Sequence, residues 1–177
     1  MNTGDSNIFS FMVEIGLTLL SITVLMRILL QWVRADFYNP VCQVIIKTTD
    51  PLIKPLKIII RPVGRTDLAS LSVYLLLIGV AVALWDPRAT NAILVVKYSL
   101  LRALLTVFTF YTLVIFLGAI LSWAQHGIRH PLVPLVHQLN EPVLKPFRKY
   151  IRPIGGIDFS PLFAILAIQL LKRLIGL

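Results

Sequence analysis

The chain has 177 residues, of which 57% are hydrophobic and 14% charged, and its net charge is +9. Soluble domains carry close to a quarter charged residues, and one core of this size cannot hide so much apolar surface, so the composition excludes an ordinary soluble globule and points to a bilayer. With one cysteine, Cys42, the chain excludes an internal disulfide and a Cys-based zinc site. In so apolar a chain the positive charge points to topology and anionic lipid. No DNA-binding or basic-aromatic RNA motif accompanies it, so nucleic acid is not an expected partner.

The N-terminal MNTGDSN lacks a positive n-region, and the apolar run after it is too long for a signal peptide, so the first segment reads as an uncleaved membrane helix. That first apolar stretch covers about 8–33 and is interrupted by Glu14 and Arg27. Charges inside a span are functional candidates by default. These two are thirteen residues apart (27 − 14), ~20 Å along a helix, and cannot pair with each other. Arg27 can snorkel towards Trp32, and Arg102 is the candidate partner of Glu14. The first connector follows, residues 34–67. Asn39-Pro40 and Asp50-Pro51 are cap-then-proline signals, each predicting the start of a short helix. Lys54, Lys57 and Arg61 share one helical face, and Leu52, Leu56, Ile59 and Ile60 the other. That arrangement suits an interfacial or re-entrant amphipathic helix. Pro62 and Gly64 predict a turn, and Asp67 a cap for the second span, 68–85.

The third span is predicted over 103–123, with Ile93 as an alternative, earlier start. In the second connector, 124–158, Lys145, Arg148 and Arg152 face away from Val143, Phe147, Tyr150 and Ile151, and Asp158 caps a fourth span over 159–177. Lys172 and Arg173, near the end of that span, must snorkel if it crosses. Trp32 and Trp123 read as interface anchors. His126, His130 and His137 straddle the helix start predicted at His130-Pro131 and have no accompanying carboxylate motif. No metal site, cofactor site or catalytic motif is expected.

The two connectors are the same text. KPLKIIIRPVGRTD at 54–67 returns as KPFRKYIRPIGGID at 145–158, an offset of 91 (145 − 54) without a gap. The expected architecture is therefore an all-α membrane protein of two parallel tandem repeats, 1–88 and 89–177. Each is a transmembrane helix, two short amphipathic or re-entrant helices, and a transmembrane helix. The connectors hold eleven (six plus five) of the seventeen basic residues, so the positive-inside rule places both in the cytoplasm.

Asp36-Phe37-Tyr38-Asn39-Pro40 followed by Gln43, the Asp50-Pro51 and Lys54-Pro55 pairs, and Gly155-Gly156-Ile157-Asp158-Phe159-Ser160-Pro161 closely resemble the bacterial YggT (YlmG-like) membrane proteins. The resemblance covers nearly the whole chain. In the first copy, Gly64-Arg65-Thr66-Asp67-Leu68-Ala69-Ser70 keeps only the first Gly and the Asp of that run. The resemblance implies a non-enzymatic, multi-pass protein of the bacterial inner membrane that supports osmotic-stress tolerance or ion homeostasis. Two rivals stand beside this: a scaffold for cell-division or cytochrome-maturation assembly, and an organiser of anionic lipid. The expected partners are anionic membrane lipids, cytoplasmic or membrane proteins, and further copies of the chain, since four spans enclose only a narrow path.

Overall fold

The computed structural model describes residues 3–60, 67–123, 130–151 and 158–176. These form six helices and, among the described residues, no strand: α1 (Thr3–Trp32), α2 (Pro40–Ile59), α3 (Leu68–Trp85), α4 (Ala92–Trp123), α5 (Leu132–Tyr150) and α6 (Ser160–Leu174). Three stretches are long and apolar enough to cross a membrane: Ile8–Trp32, Leu68–Trp85 and Ala92–Ser122. In their most apolar windows only 17%, 39% and 22% of residues are buried, so most of this apolar surface must face lipid or a partner. Phe9, Phe11, Met12 and Leu19 on α1 are among the large side chains left exposed.

The described helices fall into two compact units. The first takes Met1–Ile28 and Val44–Leu104, the second Leu29–Gln43 and Leu105–Leu177. In the first, Val24, Ile45, Ile53, Val73, Ile78 and Val82 are buried, and the Tyr74 hydroxyl of α3 donates to the Ala103 carbonyl of α4 at 2.8 Å. In the second, Ile115, Leu144, Ala164 and Ile168 form a cluster flanked by Phe108, Tyr111, Val143 and Phe147. Lipid tails are as apolar as these side chains, so packing and interhelical polar contacts must hold the helices together. The start of the first connector also belongs to the second unit. Asn39 Oδ1 accepts from the Val41 amide at 2.9 Å, and its Nδ2 donates to the Pro131 carbonyl at 2.7 Å.

Three expectations are corrected. Each connector carries one helix where two short ones were expected, because α2 runs unbroken through Pro51 and Pro55, and α5 through Pro142 and Pro146. A proline frees the carbonyl four residues back. Here the four prolines are exposed, and so is Lys47, whose carbonyl Pro51 frees, so outside partners can satisfy the carbonyls of Lys47, Pro51 and Pro142; the fourth, freed by Pro142, belongs to half-buried Gln138. The apolar face of α2 is also rotated. Ile53 is fully buried and Leu56 half-buried, whereas Ile59 is 82% exposed; in α5, Tyr150 is likewise exposed. Finally, α6 has 15 residues, ~22 Å, and does not by itself match a ~30 Å hydrocarbon core. Arg61, Arg152 and the expected turns after them lie outside the described residues, as do His126 and the side chain of Trp123.

Candidate functional site

The charged residues gather where the connector helices meet their neighbours. In the first unit, α1 presents Arg27, only 8% exposed, to the middle of α2. Its guanidinium donates to Thr49 Oγ1 at 2.7 Å and to Asp50 Oδ1 at 2.8 Å. Thr49 in turn donates to the Ile45 carbonyl at 2.7 Å, which fixes its lone pairs towards the arginine. The other oxygen of Asp50 takes Lys54 Nζ at 2.9 Å. Burial pushes the Asp50 carboxyl up, but Lys54 and Arg27 outweigh that and hold it below the usual range. Arg27 is thus a tether between a span and the connector.

Ten residues after Lys57 comes Asp67, 3% exposed. Asp67 Oδ2 accepts from Lys57 Nζ at 2.7 Å and from Ser70 Oγ at 2.8 Å, while Oδ1 accepts from the Ser70 amide at 3.3 Å. One carboxylate therefore caps α3 and holds the last turn of α2. Burial raises this carboxyl, and the Lys57 and Ser70 bonds more than offset it, leaving it lowered. At the other end of the first unit Arg102 meets Glu14 at 3.1 Å, both about one-third exposed.

The second unit answers at the 91-residue offset. Arg148 (57 + 91) reaches Asp158 (67 + 91) at 2.9 Å, and Glu141 (50 + 91) also at 2.9 Å. Asp158 Oδ1 accepts from the Ser160 amide at 2.9 Å. Pro161 stands where the first copy has Ser70 and offers no amide, so the carboxylate takes the donor one residue earlier. The tether differs more. Arg27 corresponds to Gly118, and Thr49 to Asn140. Asn140, 4% exposed, donates from Nδ2 to the Val114 carbonyl at 3.0 Å. A Cβ on residue 118 would collide with that amide nitrogen. The first copy joins connector to span with a charged pair, and the second with a neutral amide in the space glycine leaves.

The basic faces read from sequence are therefore partly engaged. Lys57 and Arg148 brace carboxylates, Lys54 leans on Asp50, and Lys145 is exposed. Trp32 is half exposed at the end of α1. Asp50, Glu141, Asn140 and Gly118 were missed as site residues. Part of the signal was present: aligning the two copies pairs Arg27 with Gly118, Thr49 with Asn140 and Asp50 with Glu141, and at the first of these a charge faces a glycine. Among the described residues no group of His, Cys, Asp and Glu could hold a metal ion.

The model of the CCB3/YggT family matches residues 6–87 and again 97–177, two matches that begin 91 residues apart (97 − 6). The chain belongs to the CCB3/YggT family. It is 40% identical over 163 residues to the Pseudomonas aeruginosa protein named uncharacterized protein PA0392, covering 86% of this chain and 80% of that one. It is 35% identical over 167 residues to uncharacterized protein YggT of Escherichia coli strain K12, covering 94% and 88%. It is 38% identical over 177 residues to a Vibrio alginolyticus protein named for its place in the proC 3' region, covering 96% and 94%. No solved structure matches the chain.

Proposed function

We propose that the chain is a non-enzymatic, multi-pass protein of the bacterial inner membrane that supports osmotic-stress tolerance or ion homeostasis, with both connector helices on the cytoplasmic face. The family resemblance supplies the physiological field. The observation that carries the rest is the recurrence of one brace in both connectors, Lys57 on Asp67 and Arg148 on Asp158. Each brace joins the last turn of a connector helix to the start of the next apolar helix. The connectors are then built platforms, and the charges near them serve architecture.

The side follows from counting. With Ile8–Trp32, Leu68–Trp85 and Ala92–Ser122 as spans, one crossing precedes α2 and three precede α5. Both are odd, so on this reading the connectors share a side whether or not α6 crosses, and their eleven basic residues support the cytoplasm as that side. Two parallel repeats related about the membrane normal fit the same count.

The scaffold reading is favoured by a separate observation. Ile58, Ile59 and Tyr150 are 85%, 82% and 81% exposed at the ends of α2 and α5, a surface fit for a protein partner or lipid. One experiment separates the two. A deletion strain carrying the native protein should recover growth after hyperosmotic shift. The strain carrying Asp67→Ala with Asp158→Ala, matched for membrane level, should not. If the deletion strain grows like its parent, the osmotic reading fails; if Ile58→Ser with Ile59→Ser alone abolishes recovery, the docking surface carries the function.

A further inference from the structure

Lys172 and Arg173 occupy the last turn of α6. They line a cleft of about 620 Å³ with Gln169, Leu170 and, from α4, Leu105. Lys172 Nζ donates to Thr109 Oγ1 of α4 at 3.1 Å. Among the described residues no carboxylate stands within ion-pair distance of either cation. One ammonium donor is used, two remain, and the guanidinium adds up to five. The carbonyl end of α6 favours positive charge, but that partial charge supplies only a fraction of a full anion.

Depth makes the cluster unusual. Arg102 pairs with Glu14, and Glu14 stands 18 residues (32 − 14) before Trp32, ~27 Å along α1. On α4, Arg102 stands 21 residues (123 − 102) before Trp123, ~32 Å. Both intervals match the ~30 Å hydrocarbon thickness, so on each helix the residue of the Glu14–Arg102 pair stands at one edge of it. Thr109 lies seven residues (109 − 102) beyond Arg102, ~10 Å inside that edge. Lys172 therefore meets α4 below the headgroup plane. A helix of 15 residues cannot carry its basic end past the far edge, and bilayers meet such a mismatch by thinning and drawing headgroups inward.

We propose that this cleft between α4 and the end of α6 is a binding site for a phosphate-class oxyanion, held by Lys172 and Arg173 and oriented by Gln169, with Leu105 and Leu170 as its apolar floor. A phospholipid headgroup and free phosphate share that chemistry. The inference rests on the chain spanning a membrane and is independent of the osmotic role.

The test is native mass spectrometry of the full chain in detergent, titrated with phosphatidylglycerol or phosphatidylcholine, with and without excess inorganic phosphate. The native protein should retain phosphatidylglycerol preferentially. At ~1 kcal/mol per cation, K172Q/R173Q should bind it about thirtyfold more weakly and R173Q alone about fivefold, while K172R stays close to native. Circular dichroism checks that each variant is folded, and R173Q, changed at an exposed position, keeps the question open to test if the double variant is not. Displacement of the lipid by inorganic phosphate supports the site with the free anion as a ligand; retention supports it with the lipid. Equal phosphatidylglycerol affinity in native protein, R173Q and K172Q/R173Q overturns it. So does an equally large loss in K54Q, which reports cations on the connector.

Discussion

Replacing Gly118 with alanine tests the tether of the second unit at its tightest point. The added methyl would collide with the Asn140 amide nitrogen and stand 3.4 Å from its Cγ and 3.5 Å from Val136 Cγ1. Asn140 is almost wholly buried, and its Oδ1 already lacks a partner among the described residues. If the side chain moves, the bond to the Val114 carbonyl breaks and a second buried polar atom is orphaned, at about 1–3 kcal/mol. Overpacking adds about 1–3 kcal/mol. Alanine in a helix interior returns about 1 kcal/mol relative to glycine. The net is a loss of about 1–5 kcal/mol. The assay is SDS-induced unfolding from mild detergent, followed by circular dichroism. Asn140→Ala removes the colliding group, so Gly118→Ala with Asn140→Ala should regain stability over Gly118→Ala alone, a coupling of at least ~1 kcal/mol. A single variant that unfolds with the native protein would refute the reasoning, as would a double variant no more stable than the single.

The same titration reads the other contacts. Arg27→Gln leaves Asp50 with Lys54 alone and should cost about 2–4 kcal/mol, less than a fully buried broken pair because Asp50 keeps one cation. Asp67→Ala should cost more than Asp158→Ala, since Asp67 is 3% exposed and Asp158 about one-third, and a screened pair contributes at most ~1 kcal/mol. Equal losses would contradict the asymmetry between the copies. Asp50, Asp67 and Asp158 all have folded-state values below the ordinary carboxylate range. Their contribution is therefore complete above the unfolded value of about 3.9 and drains away as pH falls through the depressed folded values. Stability measured from pH 6 downwards should fall on acidification, and less steeply in Asp67→Asn.

Local chemistry was legible and tertiary chemistry was not. Asn39 and Asp67 announce themselves because a cap is decided within three residues. Asp50-Pro51 carries the same signature, yet it lies inside a helix. What distinguishes it is Arg27, 23 residues away, which takes the carboxylate that would otherwise cap. The buried face of α2 was misread for a related reason. Leu52 and Ile53 satisfy an amphipathic pattern equally well, and the tether at Thr49 and Asp50 decides which turns inward. Lys57 and Arg148 read as a lipid-facing stripe because their partners, Asp67 and Asp158, lie ten residues further along the chain, past the end of the helix. The short α6 was legible in principle from Lys172 and Arg173, which close its apolar run early.

The placement of both connectors on the cytoplasmic side is tested most directly by thiol labelling. Cys42 cannot report it, being 1% exposed with its thiol pushed up by burial and by Asp36. Single cysteines at Tyr38, 89% exposed, at His137 on the exposed side of α5 and at Thr90 between α3 and α4, each in a Cys42→Ala background, report the two connectors and the link between them. With a membrane-impermeant reagent on intact spheroplasts, Thr90→Cys should label at once, and Tyr38→Cys and His137→Cys only after lysis. Labelling of Tyr38→Cys from outside with Thr90→Cys protected would invert the topology, and labelling of Tyr38→Cys and His137→Cys from opposite sides would contradict the shared side.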